Sequence, residues 1–172
     1  MVEFKYRRAY LGLGSNLGDS RAMLAAAAEA LAAVPGLAVV ARSADYRTPP
    51  WGDADQPAFA NACIAVDTTL TPEQLLDACL AAERALGRDR NAPEARRWGP
   101  RLIDIDVLDY EGARRATAAL VLPHPRLAER AFVLLPLAEI APEHIISGGG
   151  GERLTVREAL ARLDANGIEP LT

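Results

Sequence analysis

The stretch Arg97-Trp98-Gly99-Pro100-Arg101-Leu102-Ile103-Asp104-Ile105-Asp106-Val107-Leu108 carries the densest chemistry in the chain. Its apolar alternation predicts a strand, in which side chains two apart share a face, so Asp104 and Asp106 project together while Ile103, Ile105 and Val107 enter a core. Two carboxylates so placed repel unless water or a hard cation lies between them. Mg²⁺ is commonly held by one or two carboxylates completed by substrate phosphates. Arg88, Arg90, Arg97 and Arg101 cluster beside them in sequence, and guanidinium groups grip phosphate through planar paired donors. Both charge types converging on one place is what a metal-bound polyphosphate requires. On these residues alone, a wet acidic strand face or a surface ion-pair network is the alternative.

Three smaller signals surround that stretch. Phe59, Asn61 and Cys63 share one face of a predicted strand, opposite Ala60, Ala62, Ile64 and Val66, and an aromatic beside a carboxamide can stack a flat heterocycle and bond its edge. His124 lies between Pro123 and Pro125, in an extended loop where it could bind phosphate or act as acid or base. The Gly12-Leu13-Gly14-Ser15-Asn16-Leu17-Gly18 loop is not a dinucleotide fingerprint, since its third glycine comes one place late, and no phosphate-loop Gly-Lys-Ser/Thr follows. It reads as a strand-to-helix turn with Asn16 as its functional candidate.

The elements that must position these groups follow from periodicity and punctuation. A strand is expected at 8–13, then a helix capped by Asp19 or Ser20, with Met23, Leu24, Ala27, Leu31 and Val34 on one stripe and a stop at Pro35-Gly36. A second strand spans about 37–47 and runs into the stiff Thr48-Pro49-Pro50-Trp51-Gly52. A third covers 59–68. Thr71-Pro72-Glu73-Gln74 is a capping box opening a helix that ends at Gly87. Residues 88–101 form a long loop, natural to a functional lid together with Asn16 to Asp19. A fourth strand covers 102–110, with residues 117–122 returning as its hairpin partner. The remainder holds a helix near 132–140, a glycine turn at 148–151 and a helix at 155–163. The order β-α-β-β-α-β with additions favours an antiparallel α+β fold over a parallel doubly wound sheet.

The chain is 172 residues long, the size of one ordinary domain. Its 19 basic against 23 acidic residues give a formal charge of −4, and 50 % of its residues are hydrophobic, which excludes a disordered chain and a non-specific coat for nucleic acid. Any anion site must be local. All the basic residues but Lys5 are arginine. Cys63 and Cys79 suggest neither a disulfide framework nor a zinc site, and a reducing cytoplasm fits them best. No apolar stretch near the N-terminus has the length of a signal or an anchor.

The blocks Gly14-Ser15-Asn16-Leu17-Gly18, Tyr46-Arg47-Thr48-Pro49-Pro50 through Gln56-Pro57 to Asn61, Gly87-Arg88, Arg97 to Leu108, and Pro123-His124-Pro125-Arg126 to Phe132 together resemble the hydroxymethyldihydropterin pyrophosphokinases of folate biosynthesis. They stand in that family's order over about 9–143, leaving 1–8 as a leader and 144–172 as a C-terminal addition to a single domain at 1–172. The resemblance implies a ferredoxin-like antiparallel sheet with helices packed on both sides, a three-layer α/β/α arrangement. It implies transfer of the terminal pyrophosphate of ATP to the hydroxymethyl group of 6-hydroxymethyl-7,8-dihydropterin, releasing AMP, with two Mg²⁺ ions held by Asp104 and Asp106.

By the same resemblance Phe59 and Phe132 sandwich the pterin, Asn61 and the backbone around Thr48, Pro49 and Trp51 bond its polar edge, and Asn16 and Trp98 lie near the pocket. Arg88, Arg90, Arg101, His124 and Arg130 face phosphates, with Arg88 and Arg101 also catalytic. Glu83, at the end of the second helix, reaches the nucleotide ribose. The expected partners are the two small substrates, with no nucleic acid, no membrane and a monomeric state. The chain departs from well-known members in having Phe59 where some have Tyr, Pro125 where some have a phosphate-contacting Tyr, and a longer, lysine-free spacer at 91–96. Two other classes remain open at this point: a non-catalytic module binding a small ligand or single-stranded RNA, and a metal-dependent phosphohydrolase acting on ATP without pterin.

Overall fold

The computed structural model describes residues 5–50, 54–88 and 101–172. Strand β1 (Arg7–Ser15) is followed by helix α1 (Ser20–Ala32), strands β2 (Leu37–Arg42), β3 (Tyr46–Thr48) and β4 (Phe59–Thr68), helix α2 (Pro72–Ala85) and strand β5 (Asp104–Tyr110). A C-terminal strand β10 (Glu169–Pro170) completes an antiparallel sheet ordered β10-β3-β4-β1-β5, with β2 also on β4. This is the α+β architecture expected from the sequence.

Local chemistry fixes the helix boundaries. The Asp19 carboxylate accepts from Ala22 N at the start of α1 (3.1 Å), and Thr71 and Gln74 form a reciprocal capping box before α2, with Pro72 as its first residue. Gly36 follows α1 with a φ of 81°, a left-handed turn that suits glycine alone.

Both faces of the sheet are covered. Leu11, Leu13, Ile64, Val66, Ile103 and Ile105 pack beneath α1 and α2 with Leu24, Leu31, Leu75 and Cys79. On the other side Cys63 and Leu108 pack against helix α3 (Ala131–Ile140) and the short helix α4 (Val156–Ala161), through Leu134, Leu137 and Val156. The three layers match the expectation.

Three local expectations are corrected. The strand expected at 37–47 is broken in two, because Ser43 turns inward and bonds Cys63 through both its backbone N–H and its hydroxyl (2.9 Å each). Glu139 of α3 then accepts from Ala44 N (3.0 Å) and the Tyr46 hydroxyl (2.8 Å). The 117–122 segment is not a hairpin partner of β5: β6 (Arg115–Ala116) and β7 (Val121–Leu122) pair with each other in a separate two-stranded ribbon. The C-terminal region holds more strand than expected, with β8 (Ile145–Ser147) and β9 (Arg153–Thr155) flanking the glycine turn and β10 clamping β3. That clamp is reinforced by Leu171 N donating to Asp45 O (2.8 Å) and by Gly167 lying against Pro49.

Candidate active site

The site grows from a register. Gly14 of β1 stands opposite Asn61 of β4 on one side and Asp104 of β5 on the other, and Gly12 stands likewise between Cys63 and Asp106. Paired residues on antiparallel neighbours share a face. The aromatic and amide of β4 and the two carboxylates of β5 therefore point the same way, two strand spacings or about 10 Å apart, with only glycine between them. The two rows form the floor of a cleft lined by Gly12, Gly14, Thr48, Pro49, Phe59, Asn61, Cys63, Arg101, Asp104, Asp106, Leu108, Arg130, Phe132 and Val133.

Each wall is tied in place. Asn61 Nδ2 donates to Thr48 Oγ1 (2.6 Å), which turns its Oδ1 toward Gly14: a Cβ there would lie 2.8 Å from that oxygen. Phe132 and Arg130 come from the start of α3, with the Arg130 guanidinium 5.7 Å from the Phe132 ring centroid. Cys63 is buried in the floor, where desolvation pushes its thiol well above the ordinary range, so it is no nucleophile.

Asp104 is gripped from two sides. Arg88 Nη1 lies 2.5 Å from its Oδ1, and Arg101 Nη1 lies 2.6 Å from its Oδ2. Arg130 is pulled below its ordinary value chiefly by burial, while Asp106 opposes that shift. His124 is lowered to about 4, first by burial and then by the nearby Arg130 charge. Its Nδ1 accepts from Arg126 N (3.2 Å), which leaves Nε2–H as the donor of a neutral ring. His124 at neutral pH is thus a hydrogen-bond donor and a poor base.

The donor set fits Mg²⁺. Among the described residues no three His, Cys, Asp or Glu side chains could enclose a metal, whereas Mg²⁺ takes oxygen ligands from one or two carboxylates and completes its shell with phosphate and water. Asp104 and Asp106 offer such oxygens, and the glycines opposite them add no side chain.

Thr48, Pro49, Phe59, Asn61, Arg101, Asp104, Asp106, Arg130 and Phe132 are brought together in the cleft, and Arg88 adjoins it through Asp104. Trp51, Arg90 and Trp98 lie outside the described residues. Two further expected site residues are engaged inside the protein. Asn16 is only 4 % exposed. Its Oδ1 accepts from Arg101 N (2.7 Å) and its Nδ2 donates to Gln56 Oε1 and Pro57 O (3.0 Å each), so it staples the end of β1 to the entry of β5. Glu83 is 1 % exposed, with its Oε1 accepting from Ile105 N at 2.8 Å, which places its carboxylate in the α2–β5 contact. Sequence reasoning missed Gly12 and Gly14 as floor residues. The signal was present, since Leu11 and Leu13 enter the core and the residues alternating with them must face the other way.

A family profile described as 7,8-dihydro-6-hydroxymethylpterin-pyrophosphokinase (HPPK) matches residues 10–142. A 2-amino-4-hydroxy-6-hydroxymethyldihydropteridine pyrophosphokinase of Methylorubrum extorquens is 67 % identical over 94 % of this chain and 97 % of that protein. One of the same name from Pseudomonas aeruginosa is 41 % identical over 96 % of this chain and 97 % of that one. Among solved structures, a Plasmodium falciparum HPPK-DHPS triple mutant with SDX-DHP superposes with a TM-score of 0.69 at 15 % identity, over 93 % of this chain. This chain spans 44 % of that longer protein, and at such identity the likeness speaks for the fold alone.

Proposed function

The chain belongs to the 7,8-dihydro-6-hydroxymethylpterin-pyrophosphokinase family, and on that premise we propose how its residues divide the work. It is an ATP-dependent pyrophosphokinase of folate biosynthesis, moving pyrophosphate from ATP to hydroxymethyldihydropterin. The observation that carries the assignment of roles is the floor described above, where glycines separate a heterocycle-binding wall from a phosphate-binding wall.

Phe59 and Phe132 hold the pterin between their rings, as aromatic pairs hold flat heterocycles. Thr48 orients Asn61, whose Oδ1 meets the polar edge. Arg101 and Arg130 in the cleft, Arg88 beside Asp104, and the Nε2–H of His124 face the triphosphate and donate to the oxygens on which charge builds. Asp104 and Asp106 would hold two Mg²⁺ ions, which when bound neutralise the triphosphate and polarise the phosphorus under attack. The substrate hydroxyl attacks the β-phosphorus in line and gives up its proton to water or a phosphate oxygen, while the bond from the β-phosphorus to the α,β-bridging oxygen breaks and AMP departs. Positioning and electrostatics dominate such transfers, and the buried Cys63 offers no covalent detour. Two buried cysteines that form no disulfide are in keeping with the cytoplasm, and among the described residues no helix is long and apolar enough to cross a membrane.

The test is an omission series. With ATP, Mg²⁺ and reduced hydroxymethylpterin the protein should release AMP, and leaving out any one should abolish it. Release of orthophosphate or pyrophosphate from ATP without pterin would instead indicate a phosphohydrolase.

A further inference from the structure

Glu83 sits on the apolar stripe of α2, at the i+4 and i+8 positions from Cys79 and Leu75, all of them buried. A carboxylate buried there must be paired, because leaving it unpaired in an apolar layer is costly. Its partners lie on the outer edge of β5, the last strand of the sheet. Glu83 Oε1 accepts from Ile105 N at 2.8 Å and lies 3.3 Å from Arg88 Nη1. Arg88 Nη1 in turn reaches Ile103 O at 2.8 Å and Asp104 Oδ1 at 2.5 Å. The Arg88 backbone is fastened to the same residue, its N–H donating to Glu83 O at 2.9 Å.

Alternate residues of an edge strand present their backbone groups to the same open side. The Ile105 N–H and the Ile103 carbonyl, which a further strand would satisfy, are satisfied here by the Glu83–Arg88 ion pair. Ile105 lies between the two cleft aspartates, and Arg88 binds one of them. One buried carboxylate thus fixes the strand that carries Asp104 and Asp106 and the guanidinium that orients Asp104.

We propose that Glu83 is a positioning residue for pyrophosphoryl transfer, acting through Arg88 and the β5 backbone and touching neither substrate. This rests on the roles proposed above for Asp104 and Arg88. A purely structural carboxylate would affect folding stability, whereas a positioning one affects turnover at fixed affinity and loses its effect when Arg88 is gone.

The test is a double-mutant cycle on AMP formation. Glu83→Gln keeps the acceptor for Ile105 and removes the charge that holds Arg88. Its kcat should fall about tenfold to a hundredfold, the scale of a small misplacement of a catalytic group, with the KM for ATP and for pterin within about threefold of the parent. In the Arg88→Ala background the same change should cost less than about threefold, because coupled residues are non-additive. If Glu83→Gln does not fold, Glu83→Asp carries the same test, since it retains the charge but is one methylene too short to hold both partners. An equal kcat loss in both backgrounds, a raised KM for ATP at unchanged kcat, or undiminished turnover would overturn the positioning role. The raised KM would restore a ribose contact. A parent protein that gives no AMP would overturn the pyrophosphokinase roles and this proposal together, an outcome distinct from an active parent with an unaffected Glu83→Gln variant.

Discussion

The two faces of the sheet are made by the same strands and spend them differently. Under α1 and α2, β4, β1 and β5 present Ile64 and Val66, Leu11 and Leu13, then Ile105 and Val107, a packed layer almost without accessible surface. On the opposite face the alternating positions are Asn61 and Cys63, Gly12 and Gly14, then Asp104 and Asp106. Helix α3 covers part of this face through Leu134 and Leu137, and its first turn brings Phe132 to the cleft. Packing is complete on one side and withheld on the other. The cleft is therefore a property of three adjacent strands, with its rigidity supplied by the core behind it.

That contrast can be broken from either side. The largest effect should come from Asp104→Ala and Asp106→Ala. Each should lower AMP formation by about two orders of magnitude or more, the scale on which positioning and charge stabilisation act, while circular dichroism stays native. Near-normal turnover in either would remove the carboxylates from the chemistry. Next is the packed face, where Leu11→Ala, at a fully buried position away from the cleft lining, should cost about 2–5 kcal/mol in denaturant titration yet leave the pterin dissociation constant unchanged below its unfolding transition. A large loss of pterin affinity in the folded variant would mean that the faces are not separable.

Gly14→Ala should do the reverse. A Cβ 2.8 Å from Asn61 Oδ1 must displace that amide, so pterin should bind about tenfold more weakly in calorimetry, the weight of one lost buried hydrogen bond. Unchanged affinity would show that Asn61 does not read the pterin edge.

The smallest effect concerns His124, whose value falls from 6.5 to about 4. The folded protein holds the ring neutral, so between these values it binds fewer protons than the unfolded chain. The stability gained is complete above about 6.5, declines as pH falls toward about 4 and is gone below it. His124→Gln should show a shallower loss of melting temperature over that window, and parallel curves would contradict the burial of a neutral ring.

Much of this was legible in the sequence because it rests on alternation and capping. The strands holding Phe59, Asn61, Asp104 and Asp106, the capping box at Thr71 and the turn at Gly36 all write their signals within a few residues. What escaped depends on distant contacts. The break between β2 and β3 contains no glycine or proline, only Ser43 and Asp45 as turn formers, and it forms because Ser43 bonds Cys63 and Glu139 holds Ala44. Strand β10 has two residues, too few for any period, and exists only because β3 offers it an edge. Asn16 was legible as the candidate residue of its loop, but its bonds to Arg101, Gln56 and Pro57 join segments far apart in sequence. Glu83 was legible in principle, since its spacing from Leu75 and Cys79 put a carboxylate within an apolar stripe and so demanded a buried cation.

The most direct measurement is metal occupancy. With Mn²⁺ replacing Mg²⁺, a non-hydrolysable ATP analogue and pterin present, electron paramagnetic resonance should show protein-bound manganese in the parent. Asp104→Asn and Asp106→Asn, which keep shape and lose charge, should each release most of it. Equal manganese occupancy in the parent and both variants would contradict the claim that the paired acids of β5 hold the cation at the phosphate wall of the cleft.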